Sequence, residues 1–195
     1  CINMKRIVLT GGGTAGHVTP NMALIPRLQA DGWDVHYIGA ANSAEQSLIE
    51  KLPGVTFHTV SVGKLRRYFD LKNLSDPFRV VKGVFQAQAL IHRLKPNVVF
   101  SKGGFVSVPV VYGAKMCGVP IVIHESDMTP GLANKLSAPL AKAECCTFPE
   151  AIQYTHGKGV YTGTPIRPEI LSGDRERGCE RFGLTDCMPI VMVVG

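Results

Sequence analysis

The chain has 195 residues, 45% of them hydrophobic and 18% charged, with a formal net charge of +6. That balance supplies a buried core and excludes disorder as the default state, and the length suits one generous domain or one domain and part of another. Six cysteines, none in a C-x-x-C pair, exclude a disulfide scaffold and argue against a structural zinc site, so reduced thiols in a cytosolic protein are expected.

Short Val/Ile-rich runs alternate with helical patterns along the chain. Strands are expected at 6–10, 34–39, 55–62, 97–101, 119–124 and 144–148, and helices at 20–30, 44–52, 77–94, 108–117 and 131–140. Ser43 followed by Gln46 has the spacing of a capping box, and Asp76-Pro77 offers an N-cap with Pro at the first helical position. Strands that are apolar throughout, each followed by a crossover helix, imply an α/β fold with a doubly wound, Rossmann-like parallel sheet covered on both faces. Residues 157–186 are rich in Gly, Pro, Arg and Glu, as a linker or hinge would be, and 189–194 read as one more buried strand. A buried strand without a following helix suggests the front part of a two-domain protein.

The charge is local. Eight basic and two acidic residues lie between Lys64 and Lys95, so this segment alone carries +6. Apolar and aromatic residues thread through it, which suits an anionic bilayer face. Within it, Lys64, Leu65, Arg66, Arg67, Tyr68 and Phe69 form a candidate membrane patch, with simple packing as the alternative. In 78–94 an inward apolar stripe with solvated Arg and Lys accounts for most apolar residues. No recognition helix or RNP motif favours nucleic acid, and no apolar run approaches the roughly 18 residues of a membrane span.

Three segments can carry chemistry. Thr10-Gly11-Gly12-Gly13-Thr14-Ala15-Gly16-His17 follows the first strand, where backbone N–H groups and a helix N-terminus can hold phosphate. Its G-x-G-x-x-G spacing alone is a weak dinucleotide signal, and Gly39-Ala40-Ala41-Asn42 lacks the acidic residue that a ribose contact needs. Lys102-Gly103-Gly104-Phe105-Val106-Ser107 follows the fourth strand. If the first and fourth strands are neighbours at the switch point, the two glycine loops face each other and can enclose a diphosphate. His124-Glu125-Ser126-Asp127 leaves the fifth strand on the same edge. His124 is a core residue or a site residue, Asn134 and Lys135 face the crevice or solvent, and Arg167 reaches a phosphate or forms a salt bridge.

Gly12–His17, Gly103–Ser107, His124–Asp127 and Gly131-Leu132-Ala133-Asn134-Lys135 together resemble the bacterial lipid II-forming N-acetylglucosaminyltransferases, over residues 4–195. The resemblance implies the N-terminal half of a GT-B two-domain glycosyltransferase: 4–163 a lipid I-binding domain, and 164–195 the hinge and first strand of a truncated UDP-sugar domain. It implies transfer of N-acetylglucosamine from UDP-N-acetylglucosamine to the muramoyl C4 hydroxyl of undecaprenyl-pyrophosphoryl-N-acetylmuramoyl-pentapeptide, with inversion, and without cofactor, metal or nucleic acid. The protein would be peripheral, on the cytoplasmic face of the cell membrane, and this chain inactive alone. His17 is the favoured base and Glu125 its rival. Gly13, Thr14, Ala15, Gly16, Gly103, Gly104, Ser107, Asp127, Asn134 and Arg167 are the implied substrate contacts. Asp127 stands where some members carry Asn, and Phe105 where some carry Tyr. A nucleotide-cofactor oxidoreductase and a stand-alone sugar-phosphate or lipid-binding module are the alternatives.

Overall fold

The computed structural model describes residues 4–13, 15–62, 76–184 and 189–191. Its elements, in chain order, are β1 (Arg6–Thr10), α1 (Ala15–Ala30), β2 (Asp34–Ala40), α2 (Ala44–Ile49), β3 (Val55–Val60), α3 (Asp76–Leu94), β4 (Val98–Ser101), α4 (Ser107–Met116), β5 (Ile121–Glu125), α5 (Leu132–Ser137), β6 (Ala143–Cys146), β7 (Gly159–Tyr161) and α6 (Arg175–Phe182). Short 3-10 turns follow α5, β6 and Arg167.

The seven strands form one sheet in the order β3-β2-β1-β4-β5-β6-β7, every pair parallel. The doubly wound arrangement expected from the alternating pattern is therefore present, with β1 beside β4 in the register Thr10↔Ser101. The core follows from strand alternation. Ile7 and Leu9 of β1 turn to one face with Val18 and Ile25 of α1 and Ile49 of α2. Val8 turns to the other, with Ala87 and Ile91 of α3 and Val110 and Val111 of α4. Both faces are thus dry, which is why β1 reads as a continuous apolar run rather than an alternating one.

Some boundaries differ from expectation. Helix α1 begins at Ala15, although Pro20 suits a first helical position. It carries Pro20 and Pro26 in its interior, and its early start brings Gly16 and His17 into its first turn. The Ser43 hydroxyl caps α2 by accepting from Gln46 N at 3.2 Å, but the Gln46 amide oxygen accepts from Asn42 N, one residue before the N-cap. The expected linker at 157–186 contains an edge strand, β7, and the helix α6. Residues 189–191 are not in a strand, and the rest of the strand expected there lies outside the described residues, as do Thr14 and 64–69. Among the described residues no helix is long and apolar enough to cross a membrane.

Candidate active site

The first glycine loop rests on a buried polar frame. The Thr10 hydroxyl donates to the Ile38 carbonyl at 2.9 Å, Asn21 Nδ2 donates to the Thr10 carbonyl at 3.2 Å, and the Tyr37 hydroxyl donates to the Gly11 carbonyl. Burial raises the Tyr37 pKa, so it stays a neutral donor. Glu45, buried on α2, packs against Gly12 and accepts from Ala40 N at 3.3 Å. These groups fix the loop's backbone.

The second glycine loop meets the first. Lys102 N donates to the Thr10 carbonyl at 2.9 Å, carrying the β1–β4 pairing one step past the strand ends. Gly104 then adopts φ +81°, and a Cβ there would stand 2.1 Å from the Gly12 carbonyl oxygen. At Gly13, φ +95°, a Cβ would come 2.4 Å from the Phe105 ring. Only glycine fits at either contact. The loops touch instead of flanking a gap, so an anion would lie across their joint rim. Ser107 closes the second loop: its backbone N–H and its hydroxyl both donate to the Gly104 carbonyl, at 3.1 and 2.8 Å.

The segment after β5 forms the third wall. Glu125 is buried, and three donors occupy its carboxylate: Asp127 N on Oε1 at 2.9 Å, Gly131 N on Oε2 at 3.1 Å, and Asn134 Nδ2 on Oε2 at 2.8 Å. Such a carboxylate braces the turn that launches α5. Asn134 is buried and not turned to solvent. Its Nδ2 also reaches the His124 carbonyl at 3.2 Å, and its Oδ1, buried and without a hydrogen-bond partner, lies against Gly103. His124 is buried too, and its Nε2 is 2.9 Å from the Gly163 carbonyl, which ties the end of β7 to β5. Asp127 is exposed.

His17 is half-buried in the first turn of α1 with its Cδ2 against Gly104. Its Nδ1 is buried without a hydrogen-bond partner among the described residues. Burial holds its pKa below the ordinary 6.5, and the Lys102 ammonium pushes the same way, against a Lys102 backbone contact and the Glu125 and Asp127 carboxylates. The imidazole is therefore biased toward the neutral form that accepts a proton.

Structure thus brings Gly13, Gly16, His17, Gly103, Gly104, Ser107, Glu125, Asp127 and Asn134 to one sheet edge. Ala15 opens α1, and Thr14 lies outside the described residues. Arg167 is exposed at the start of a 3-10 turn. The sequence reading passed over Lys102, Tyr37, Asn21 and Glu45. Lys102 directly follows β4 and Asn21 lies one helical turn past His17, whereas Tyr37 in mid-strand and Glu45 at the start of α2 carried no such signal. A pocket of about 550 Å³ lies beside α5 and the 3-10 turn after β6, with Glu125 and Asn134 in its wall.

The patch Lys64–Phe69 lies outside the described residues, but the helix that follows carries an apolar row of its own. Phe78, Val81 and Phe85 are 78%, 54% and 57% exposed and share one face of α3, with Arg79 and Lys82 exposed beside them. An inward stripe therefore accounts for Ala87, Ile91 and Leu94, with Val80 and Val84 partly buried, and not for Phe78, Val81 and Phe85.

A seven-stranded doubly wound sheet with touching glycine loops at its switch point defines a Rossmann-like ligand-binding domain. The chain belongs to glycosyltransferase family 28: the model of that family's N-terminal domain matches residues 7–146. It is 58% identical, over 98% of its length, to a protein of Clostridium tetani named UDP-N-acetylglucosamine–N-acetylmuramyl-(pentapeptide) pyrophosphoryl-undecaprenol N-acetylglucosamine transferase, covering 53% of that protein. A protein of the same name from Lachnoclostridium phytofermentans is 57% identical, with 98% of this chain and 54% of that protein covered. Among solved structures, MurG of Acinetobacter baumannii superposes with a TM-score of 0.71 at 26% identity, covering 85% of this chain and 46% of that one. A UDP-GlcNAc 2-epimerase of Methanocaldococcus jannaschii, 11% identical with a TM-score of 0.62 over 83% of this chain and 46% of its own, shares the fold. The chain spans about half the length of the curated relatives it matches.

Proposed function

We propose that this chain is the acceptor-binding half of an inverting glycosyltransferase of GT-B architecture. The intact protein moves N-acetylglucosamine from UDP-N-acetylglucosamine to the muramoyl C4 hydroxyl of undecaprenyl-pyrophosphoryl-N-acetylmuramoyl-pentapeptide. Residues 4–163 form the acceptor domain, and 164–195 lead into the donor domain. The observation that carries this reading is the contact of the two glycine loops at the β1/β4 switch point, with His17 at their joint.

Backbone N–H groups of Gly13, of Gly104 and of the first turn of α1 hold the lipid diphosphate, while the Gly103 N–H is taken by the Ser101 hydroxyl. Ser107 and Asn134 set the shape of the second loop. His17 takes the proton of the C4 hydroxyl as that oxygen attacks the anomeric carbon. The bond from that carbon to the UDP oxygen breaks, UDP leaves with the electron pair, and configuration inverts. Glu125, the rival base, has both oxygens engaged by N–H donors, which favours His17. By the resemblance, Thr14, Ala15 and Gly16 contact the donor sugar nucleotide, with Asp127 and Arg167 as further contacts. The reading requires no metal or cofactor.

Docking on the cytoplasmic membrane face is part of the same proposal. It rests on the basic, aromatic-rich segment 64–95 and on the exposed Phe78, Val81 and Phe85 beside Arg79 and Lys82. The test is an assay of the intact protein with UDP-N-acetylglucosamine and a lipid I analogue. UDP release that requires the acceptor, with an inverted anomeric linkage in the product, is the expected result. UDP release indifferent to the acceptor overturns it.

A further inference from the structure

The pocket beside α5 has no role in the proposed transfer. It holds about 550 Å³ and lies on the sheet face that α3 and α4 also cover. Its floor is Ile123 of β5, in register with Glu144 of β6, and Cys146 two residues on. Ala138, Ala151 and Tyr154 make its sides largely apolar. Glu144 is the exception. It is 7% exposed, yet its carboxylate has no hydrogen bond and no ion pair within 4 Å among the described residues. Lys158, the neighbouring cation, is held elsewhere: its Nζ donates to the Ala138 and Ala141 carbonyls at 3.3 and 3.1 Å. Lys135 and His156 also line the pocket and are exposed.

A buried carboxylate without a donor is costly, and a ligand that brings an N–H satisfies it. Burial raises the Glu144 pKa, Lys158 and His156 oppose the rise, and Glu125 adds to it. The acid on the floor and the basic groups around it are separate, so the pocket suits a ligand with a donor at one point and an anionic group at another. A hydrocarbon chain would leave Glu144 without a donor, and a phosphate alone would face its charge. A peptide supplies both groups, a backbone N–H and a carboxylate, and the volume falls in the range of about 300–1,000 Å³ that ligand sites occupy. Position favours the same occupant. Asn134 lines the pocket, its Nδ2 donates to Glu125 at 2.8 Å, and its Oδ1 lies against Gly103. The pocket thus begins one side chain away from the second glycine loop. Five extended residues span roughly 16 Å, ample for a peptide on an acceptor held at the loops to enter it.

We propose that this pocket is the subsite for the peptide of the acceptor, with Glu144 accepting a peptide N–H and Lys135, His156 and Lys158 facing a peptide carboxylate. It rests on the acceptor being the peptide-bearing lipid of the proposed reaction. Glu144 and Lys135 then govern how tightly that acceptor is held and touch neither the sugar nucleotide nor the reacting atoms.

The experiment uses the intact protein and two acceptors: undecaprenyl-pyrophosphoryl-N-acetylmuramoyl-pentapeptide and the same lipid without the peptide. In the unmodified protein the peptide-free acceptor should have the higher KM, and equal values overturn the proposal. Glu144→Gln keeps the side-chain shape and removes the charge, and Lys135→Gln removes a charge at an exposed position. Glu144→Gln should raise KM for the peptide-bearing acceptor by roughly 10–100-fold, the value of a hydrogen bond to a charged group. Lys135→Gln should raise it by roughly 2–5-fold, as for an exposed ion pair. KM for the peptide-free acceptor and for the sugar nucleotide should not move in either variant. A merely structural Glu144 would affect both acceptors alike, and that result overturns the proposal, as does an unchanged KM for the peptide-bearing one. If Glu144→Gln does not fold, Lys135→Gln decides alone: without a change confined to the peptide-bearing acceptor, the proposal fails. Absence of turnover with both acceptors in the unmodified protein fails the proposed function instead. Calorimetry with the free pentapeptide then tests the pocket by itself. Binding that weakens in Glu144→Gln supports the subsite, and no binding, or binding indifferent to the variant, overturns it.

Discussion

Gly104→Ala tests the contact on which the site depends. At φ +81° an L-residue costs about 1–2 kcal/mol in backbone strain. The added Cβ would also stand 2.1 Å from the Gly12 carbonyl oxygen, about 1.3 Å inside ordinary van der Waals contact at 3.4 Å. The obstacle is backbone, itself held by the frame beneath the first loop, so it cannot rotate away as a side-chain tip would. Overpacking of this kind adds about 1–3 kcal/mol. Gly118→Ala is the control, because Gly118 has φ +69° with nothing within 4 Å of its Cβ position. It should show the strain alone. Both substitutions remove the same unfolded-chain freedom, so the difference between them isolates the loop contact. Urea denaturation of the two variants should put Gly104→Ala about 1–3 kcal/mol below Gly118→Ala. Equal losses would mean that the two loops do not touch, and the shared rim for a diphosphate would fall with them.

Four further outcomes follow from the same structure. His17→Gln in the intact protein should lower turnover by about 10²–10⁴-fold with little change in KM for the sugar nucleotide, as steady-state kinetics would show. Glu125→Gln should cost about 1–3 kcal/mol in urea denaturation, because an amide NH₂ replaces an acceptor that serves Asp127 N or Gly131 and Asn134, and the acid limb of activity should stay in place. Phe78→Glu with Phe85→Glu should weaken sedimentation with anionic vesicles while leaving the melting temperature unchanged, since both rings are exposed. Stability should decline as pH falls below about 6.5: burial lowers the pKa of His17, His58 and His124, so between their folded values and 6.5 the unfolded chain binds more protons. Asp34, whose pKa is lowered although burial opposes it, mainly because the Arg6 and His36 side chains bond its carboxylate, adds its own loss only below its ordinary 3.8. Thermal melts from pH 8 to pH 3 would show whether the decline has these two stages.

The central strands were legible because a buried parallel strand needs a run of β-branched and aliphatic residues, and Arg6–Thr10 is that run bounded by a glycine loop. Edge strand β7 was not: Gly159-Val160-Tyr161 is too short for any period, and two of its three residues are exposed. Helix α6 has no apolar stripe, so its pattern resembled a polar linker. Its caps did carry a signal, since Asp174 accepts from Arg177 N at 3.0 Å, Gly183 takes φ +63° and Leu184 N donates to the Cys179 carbonyl at 2.9 Å. The start of α1 was misplaced because Pro20 fits a first helical position, while the glycines before it suggested a longer loop.

At the site, sequence order conveyed which residues share an edge but not which of their atoms remain free. Parallel strands deliver everything that follows them to one side of the sheet, so the glycine loops and the His124–Asp127 run had to converge once the strand order held. Whether Glu125 is a base or a brace depends on Gly131 and Asn134, six and nine residues further on, and so on the path of a turn that no spacing rule gives. Lys102 shows the same limit from the other direction. Beside two glycines a lysine reads as a solvated loop residue, yet the second loop folds back on the first at Gly104 and closes over it. The contact that brings the two glycine loops together therefore also accompanies the burial of the lysine. Loop contact and burial of Lys102 go together in this domain, so a substitution that parts the loops should also open the lysine to solvent.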